Sequence, residues 1–492
     1  MFPHPYLIAI KFGGTSVGSV EAIARAADIV RRTQVNDLHP TSGVDERQVV
    51  VVVSAMNGVT NALIAAAKAA VAGDALAVNQ TVQSLRQKHL DTLAALVPDA
   101  GARFEVEGEI DSLLTHVHSL CRAISVLGEL TPRGLDVVSG LGERLSVKIV
   151  AAAMRARGIA AEAVEASELI VTDDNFGAAN PLMKLTREKT RARLLPLLER
   201  QTGTVCGVVP VITGFIGATE EGVLTTLGRG GSDYSATIVG ACLDSDEIWI
   251  WSDVDGVMTA DPRVVPDAQT IEALSYGEAA EFSYFGAKVI HPKTILPAVE
   301  RGIPLRILNS FNPDHPGTDI VAQPPPNGHV VKGITAIRQV SQVTVEGRGM
   351  MGVPGIAARV FSTVANEQIN VLMFSQSSSE QSICFVVPGD AAPRAEKALR
   401  RAFEYDMLRH NVEEIRYRGD IAVLTVVGER MKDTVGVAAR LFTALSESRV
   451  NILSIAQGSS ADNISLVIDE AQADQAVRAV HAAFGLGKKQ GG

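Results

Sequence analysis

The last third of the chain writes one pattern twice. Residues 355–361 (GIAARVF) return as residues 436–442 (GVAARLF), Ile369-Asn370-Val371-Leu372 returns as Val450-Asn451-Ile452-Leu453, and Gln376 returns as Gln457, each 81 residues later without a gap. A fixed offset of this kind marks a duplicated structural unit, because chance composition does not keep register. Each copy reads as a strand (340–346, 421–427), a glycine turn, an amphipathic helix, an Asn-bearing strand (370–375, 451–455), a polar turn and a further strand (382–387, 464–468). That order is a βαββ half of a ferredoxin-like unit, expected to be completed by a final helix and strand. Two small βαββαβ domains are therefore predicted, at 333–415 and 416–492. Before them, Gln323-Pro324-Pro325-Pro326-Asn327-Gly328 removes backbone donors and fixes φ, so 323–332 reads as a linker.

The preceding residues, 1–322, follow a different rhythm. An apolar run at 7–10 stops at Lys11-Phe12-Gly13-Gly14-Thr15-Ser16, after which Ala22, Ile23, Ala26, Ala27 and Ile29 recur at helical spacing. A second strand, turn and Ala-rich helix begin at 49–53, residues 75–157 are helical in character, and strand-like runs return at 208–213, 223–227, 247–251 and 304–308. Successive strand-helix units imply an α/β domain: a mainly parallel open sheet with helices on both faces. Aromatics are only 4% of the 492 residues, so its core must be Ala, Val, Leu and Ile, the composition of buried parallel strands.

Charge excludes some partners. The 45 basic residues stand against 55 acidic ones, a net charge of -10 with no basic stripe, which argues against nucleic acid. No apolar run approaches the roughly 18 residues of a membrane span, and the start carries no basic and apolar leader, so a soluble cytoplasmic protein without a membrane partner is expected. Cys121, Cys206, Cys242 and Cys384 form no C-x-x-C pair and read as buried reduced thiols.

Two glycine loops carry chemistry. The first sets Lys11 at a strand end, with Gly13 and Gly14 amides and the Thr15 and Ser16 hydroxyls near a helix N-terminus, a means of holding a phosphoryl group. The same residues also make a plain tight turn beside a solvated lysine, and this segment alone leaves both readings open. The second loop, residues 225–236 (TTLGRGGSDYSA), offers Arg229 as a fork for a carboxylate. Asp233 there orients Lys11 or a metal, or simply stabilises a helix start. If both loops end strands of one sheet, they face each other across the crevice where open α/β sheets bind ligands.

The motifs IKFGGTSVGS, VVVVSAMNGVTN, SGLGERLS, TGFIGATEEGVLTTLGRGGSDYSA, WSDVDGVMTADPR and EFSYFGAKVIHPKT, in this order, resemble the aspartate kinase branch of the amino acid kinase family, and the duplicated tail resembles its paired ACT regulatory domains. The resemblance implies transfer of the ATP γ-phosphoryl group to the β-carboxylate of L-aspartate, with ATP and Mg²⁺ required. It implies Lys11 on the γ-phosphoryl group, Asp233 holding that lysine, Ser54 beside the substrate, Glu143 on its α-ammonium and Arg229 on its α-carboxylate. For the nucleotide it implies Gly13, Gly14, Thr15, Ser16, Gly231, Ser232, Ser252, Asp253, Met258, Arg263 and Lys288; Ser252 and Met258 stand where relatives often have Thr and Tyr. Asn370, Gln376, Asn451 and Gln457 match effector contacts, with threonine the favoured effector, lysine the alternative, and dimerisation through the ACT domains. FSQSSSEQSICFVV resembles the threonine-sensitive subgroup, whose frequent homoserine dehydrogenase half is not expected here. A kinase for a related acid such as glutamate, and a catalytically silent amino-acid sensor, are the competing readings. An aspartate β-carboxylate is ionised at neutral pH, with a reference pKa of about 3.9, so no general base is needed and Asp233 is expected to organise rather than accept a proton.

Other residues read as structural. His291 has no ligand-spaced partner, Trp249 and Trp251 flank a buried strand, and the acidic run Glu105, Glu107, Glu109 and Asp111 reads as a solvated face. Phe12 and Phe215 fit either a pocket wall or packing.

Overall fold

The computed structural model describes residues 6–199, 207–286, 290–325, 330–377, 379–429, 431–457 and 462–487. By internal packing the chain divides into two compact units. The first comprises residues up to 257 with 272–276 and 289–324; the second comprises 258–271, 277–288 and 325 onward. Two short segments upstream of the proline linker thus pack with the tail.

The first unit runs β1 (Tyr6–Phe12), α1 (Val20–Gln34), β2 (Arg47–Val53), α2 (Val59–Val71), α3 (Ala75–Leu96), α4 (Ala100–Leu127), α5 (Pro132–Ser139) and α6 (Leu141–Arg155). It continues with β3 (Ala161–Val164), α7 (Met183–Leu198), β4 (Val209–Thr213), β5 (Ile216–Ala218), β6 (Leu224–Thr226), α8 (Gly231–Leu243), β7 (Glu247–Ser252) and β8 (Ala273–Ser275). After α9 (Tyr276–Tyr284), most of which packs with the second unit, come α10 (Pro292–Arg301), β9 (Leu305–Asn309) and β10 (Thr318–Val321).

Eight strands form one sheet in the order β3-β4-β2-β1-β7-β9-β10-β8, parallel except where β10 meets β9. The β-branched run of β2 is fully buried at Val49 through Val53, and each such side chain contributes roughly 1.5–3 kcal/mol relative to exposure. Trp249 and Trp251 are completely buried on β7, which makes them core residues. Lys11 sits opposite Val52 of β2 and Ile250 of β7, near the C-terminal end of the central strand.

One expectation about this sheet fails. The strand before the second glycine loop, β6, is not in the large sheet; it pairs antiparallel with β5 in a separate two-stranded hairpin. At three residues it is too short for its partner to be read from periodicity, and the β5 side abuts the Ile170 carbonyl, 2.9 Å from where a Cβ on Gly217 would lie. The acidic run on α4 is no bare face either: Glu107 pairs with Arg103, Glu109 with Lys148 and Asp111 with Arg86. Cys121 and Cys242 are buried free thiols and Cys384 is half-buried, while Cys206 lies outside the described residues. Among the described residues no helix is long and apolar enough to cross a membrane.

In the second unit the duplication is realised with the 81-residue offset intact: β11 (Gly333–Glu346), α11 (Ile356–Asn366), β12 (Met373–Gln376), β13 (Ser382–Pro388), α12 (Ala392–Ala402) and the short α13 (Glu404–Leu408) are followed by β14 (Glu414–Val427), α14 (Val437–Glu447), β15 (Ile452–Ala456), β16 (Asn463–Asp469) and α15 (Ala473–Phe484). All six strands join one antiparallel sheet in the order β12-β13-β11-β14-β16-β15. The expected closing strand of the second copy does not follow α15 among the described residues. Its place beside the C-terminal half of β14 is taken by the N-terminal half of β11, with Gly333 opposite Val427 and Ile337 opposite Val423, while Glu346 at the other end meets Glu414. Asn370 and Asn451 precede their strands, which begin at Met373 and Ile452.

Within this unit Lys332 and Glu278 form a buried ion pair, 2.7 Å apart and 5% and 0% exposed. The second carboxylate oxygen of Glu278 accepts the Glu429 amide at 2.9 Å.

Candidate active site

A cavity of about 410 Å³ opens in the first unit where three segments converge: the turn after β1, the turn from β2 into α2, and the loop from β6 into α8. Lys11, Gly14, Ser54, Glu143, Arg229, Gly231, Ser232 and Asp233 all line it. The two glycine loops do meet, although only one of them ends a strand of the large sheet.

At its centre the Lys11 ammonium lies 2.6 Å from an Asp233 carboxylate oxygen, with both side chains about one-eighth exposed. Asp233 stands in the first turn of α8, so the helix dipole favours its charge while it fixes the lysine. Gly14 is required by close approach, since a Cβ there would sit 3.0 Å from the Ala55 carbonyl. Two predicted phosphate donors are already engaged by protein: the Gly13 amide donates to the Trp251 carbonyl at 3.2 Å, and the buried Ser16 hydroxyl shares a hydrogen bond with Ser310 at 2.8 Å. Thr15 remains half-buried in the turn.

Glu143 enters from the first turn of α6 and is 4% exposed. One oxygen accepts the Ala55 amide at 3.2 Å; the other is buried without a hydrogen-bond partner among the described residues. Burial pushes its pKa up to about 8, against the smaller opposing pull of backbone hydrogen bonds from Ala55 and its own amide. A buried carboxyl with an open valence facing a cavity suits a cation delivered by a ligand. Arg229, between two glycines in left-handed conformation, is exposed on the opposite loop. Gly228 has φ 78°, and a Cβ there would stand 3.1 Å from the Gly177 carbonyl, so any other residue meets both strain and crowding.

Phe215, with φ 67°, lines the cavity, whereas Phe12 is buried core. Asn57, Thr60 and Asn61 also line it and were missed by the sequence reading; the place of Asn57 in the turn after β2, and of Thr60 and Asn61 in the first turn of α2, was the available signal. His291 caps α10, its ring nitrogen accepting the Lys293 amide at 3.3 Å, a structural role.

The remaining nucleotide candidates lie elsewhere. Ser252 ends β7 and Asp253 follows it, beside the Lys11 turn in the sheet, with the Ser252 hydroxyl 3.2 Å from Asp253. Met258 and Arg263 belong to the second unit, where Arg263 is 87% exposed and held by Asp261 at 2.6 Å. Lys288 lies outside the described residues. In the tail, Gln376 lines a cavity of about 310 Å³ with Gly355, Ile356 and Glu380, whereas Asn370, Asn451 and Gln457 are exposed and do not line it.

Comparison with known proteins finds one family model before the proline linker and another after it. The model of the amino acid kinase family matches residues 7–309. The chain belongs to the amino acid kinase family. An ACT domain model matches the chain twice, over 343–403 and 424–484. The chain is 34% identical over 487 residues to the bifunctional aspartokinase/homoserine dehydrogenase of Haemophilus influenzae, covering 98% of this chain and 57% of that protein. It is 33% identical over 482 residues to aspartokinase 2, chloroplastic, of Arabidopsis thaliana, covering 96% and 84% respectively. The chain spans about half the length of the bifunctional relatives it matches. Among solved structures it is similar to E. coli aspartokinase III in complex with aspartate and ADP, at 29% identity and a TM-score of 0.79, covering 97% of this chain and 99% of that one. It is also similar to that enzyme in complex with lysine and aspartate, at 28% identity and a TM-score of 0.75 with the same coverage. Within the amino acid kinase family, the chain falls with the aspartokinases.

Proposed function

We propose that this chain is an aspartokinase that transfers the γ-phosphoryl group of ATP to the β-carboxylate of L-aspartate, giving 4-phospho-L-aspartate, under feedback from an end-product amino acid bound by the tail. The observation that carries this reading is the single cavity joining an ammonium held by a carboxylate, Lys11 and Asp233, to an open buried carboxyl, Glu143, and an exposed guanidinium, Arg229. The E. coli relative solved with aspartate and ADP supports the same pair of reactants.

In this mechanism Glu143 takes the α-ammonium and Arg229 the α-carboxylate, which leaves the β-carboxylate free to attack. The attacking group is already ionised, so no residue must remove a proton. Lys11, aimed by Asp233, stabilises charge on the transferring group, and catalysis rests on positioning and electrostatics. Gly14 lets the Lys11 turn pack closely against the Ala55 carbonyl, 3.0 Å from where a Cβ would lie, and so brings the two turns together at the cavity. Mg²⁺ fits this donor set as a partner of the nucleotide: it binds through phosphates, waters and one or two carboxylates, and exposed Asp253 beside the Lys11 turn offers one. When bound it neutralises phosphate charge. Ser252, Met258, Arg263 and Lys288 are the further nucleotide contacts of this proposal.

Threonine is the favoured effector and lysine the alternative, acting at Gln376 and its counterpart Gln457, with dimerisation through the ACT domains. The test traps acyl phosphate with hydroxylamine in the presence of ATP and Mg²⁺, offering aspartate, glutamate or acetylglutamate, with and without threonine or lysine. Aspartate alone is expected to react, and K11A to abolish turnover while keeping effector binding. Equal rates on the three acids refute the roles of Glu143 and Arg229, and full activity in K11A refutes a kinase at this cavity.

A further inference from the structure

The two proposed grips on the amino acid, Glu143 and Arg229, stand on different elements, and Asp136 joins those elements. It lies in α5, is 1% exposed and does not line the cavity. One of its carboxylate oxygens accepts the Gly177 amide and the Thr226 amide, each at 2.9 Å, and the other accepts the Thr226 hydroxyl at 2.7 Å. A buried carboxylate accepting three neutral donors is held firmly, because hydrogen bonds to a charged acceptor are roughly twice as strong as neutral ones.

All three donors flank the root of the Arg229 loop. Thr226 is the last residue of β6, its carbonyl accepts the Ala179 amide at 2.9 Å, and the Gly177 carbonyl is the atom that crowds Gly228. On its other side α5 runs directly into α6, which carries Glu143. The joint is close: a Cβ on Gly140 would lie 2.7 Å from Ile216 of β5. One carboxylate thus couples the helix pair bearing one grip to the loop bearing the other.

We propose that Asp136 is a positioning residue for amino-acid recognition, setting the separation between the Arg229 guanidinium and the Glu143 carboxyl and so the size of amino acid that spans them. This rests on the reading that those two residues hold the substrate. Loss of the tie leaves Lys11 and Asp233 in place, so the defect falls on the amino acid and not on the nucleotide.

The test compares D136A, D136N and T226V in the full chain, measuring KM for aspartate, KM for ATP, and the rise in melting temperature that aspartate alone produces. D136A is expected to raise KM for aspartate by on the order of ten- to a hundredfold while KM for ATP stays within about twofold, as misplacement of a substrate-orienting group does. D136N is expected to recover most of the loss, since its amide oxygen still accepts both backbone amides and the Thr226 hydroxyl turns to accept from its NH₂. On an R229A background, D136A should add less than about twofold, because both changes remove the same contact. Unchanged KM for aspartate with a lowered melting temperature, a parallel rise in both KM values, or full additivity with R229A overturns the positioning role. If D136A does not fold, T226V carries the test: a several-fold rise in KM for aspartate alone supports the proposal, and an unchanged value overturns it. A wild-type chain that aspartate protects but does not turn over sinks the kinase reading alone, and Asp136 is then judged by whether D136A loses that protection and D136N keeps it. A wild-type chain that aspartate does not protect overturns both.

Discussion

Glu143 makes the site's response to pH calculable. Its carboxyl titrates at an ordinary 4.5 when exposed and at about 8 in the fold, because burial penalises the charge. The folded state therefore binds a proton that the unfolded state has lost across that interval. The resulting stabilisation is fully present below pH 4.5 and disappears as pH rises through 8; between pH 6 and 9 it falls by roughly 3 kcal/mol. A ligand ammonium reverses the preference by pairing with the ionised form, so aspartate binding must expel the proton. At pH 7 binding should release about one proton per site, and affinity should rise about eightfold from pH 7 to 8.5. Titration calorimetry in buffers of different ionisation enthalpy counts the protons, and the same titrations give the affinities. E143Q should bind aspartate weakly with no such slope, and its melting temperature should gain on the wild type as pH rises. A wild-type affinity flat from pH 7 to 8.5, or an equal slope in E143Q, refutes both the burial argument and the role of Glu143.

Two further outcomes follow from local geometry. G228A should weaken aspartate binding and lower stability by about 1–2 kcal/mol, because the left-handed backbone and the Gly177 carbonyl both oppose a Cβ; thermal melts and KM measurements check it, and a neutral effect would mean that the loop relaxes freely. In the second unit, K332M should lower stability by about 3–5 kcal/mol by removing the ammonium that lies 2.7 Å from the buried Glu278 carboxylate, whereas the double variant K332M/E278L should recover much of it, as read by denaturant unfolding.

The sequence exposed the centre of the site because Lys11 and Asp233 each stand two residues from a glycine, at a strand end and in a first helical turn, where their chemistry has few other uses. Asp136 was invisible for the opposite reason. It reads as an ordinary helix residue, and its partners lie 41 and 90 positions away, a distance no local pattern spans. The tail was half legible. The repeat fixed its copies, yet β11 and β14 were each read as a seven-residue strand because Gln339 (φ 57°) and Asp420 (φ 52°) interrupt the apolar alternation. Those residues mark bulges through which both strands continue. The hairpin pairing of β6 was lost for lack of length, and the strand boundaries after Asn370 because Val371 and Leu372 look like strand without pairing along their full length.

The antiparallel contact of β11 with β14 maps onto itself when the two copies are exchanged, since Gly333 meets Val427 and Glu346 meets Glu414. The tail is a dimer written into one polypeptide, with a pseudo-twofold axis between its central strands. Cutting away either copy would strip the other of the neighbour along its innermost strand and leave a long raw edge open to aggregation. Substitutions there are best made in pairs 81 positions apart, because a single change removes the internal symmetry together with the side chain.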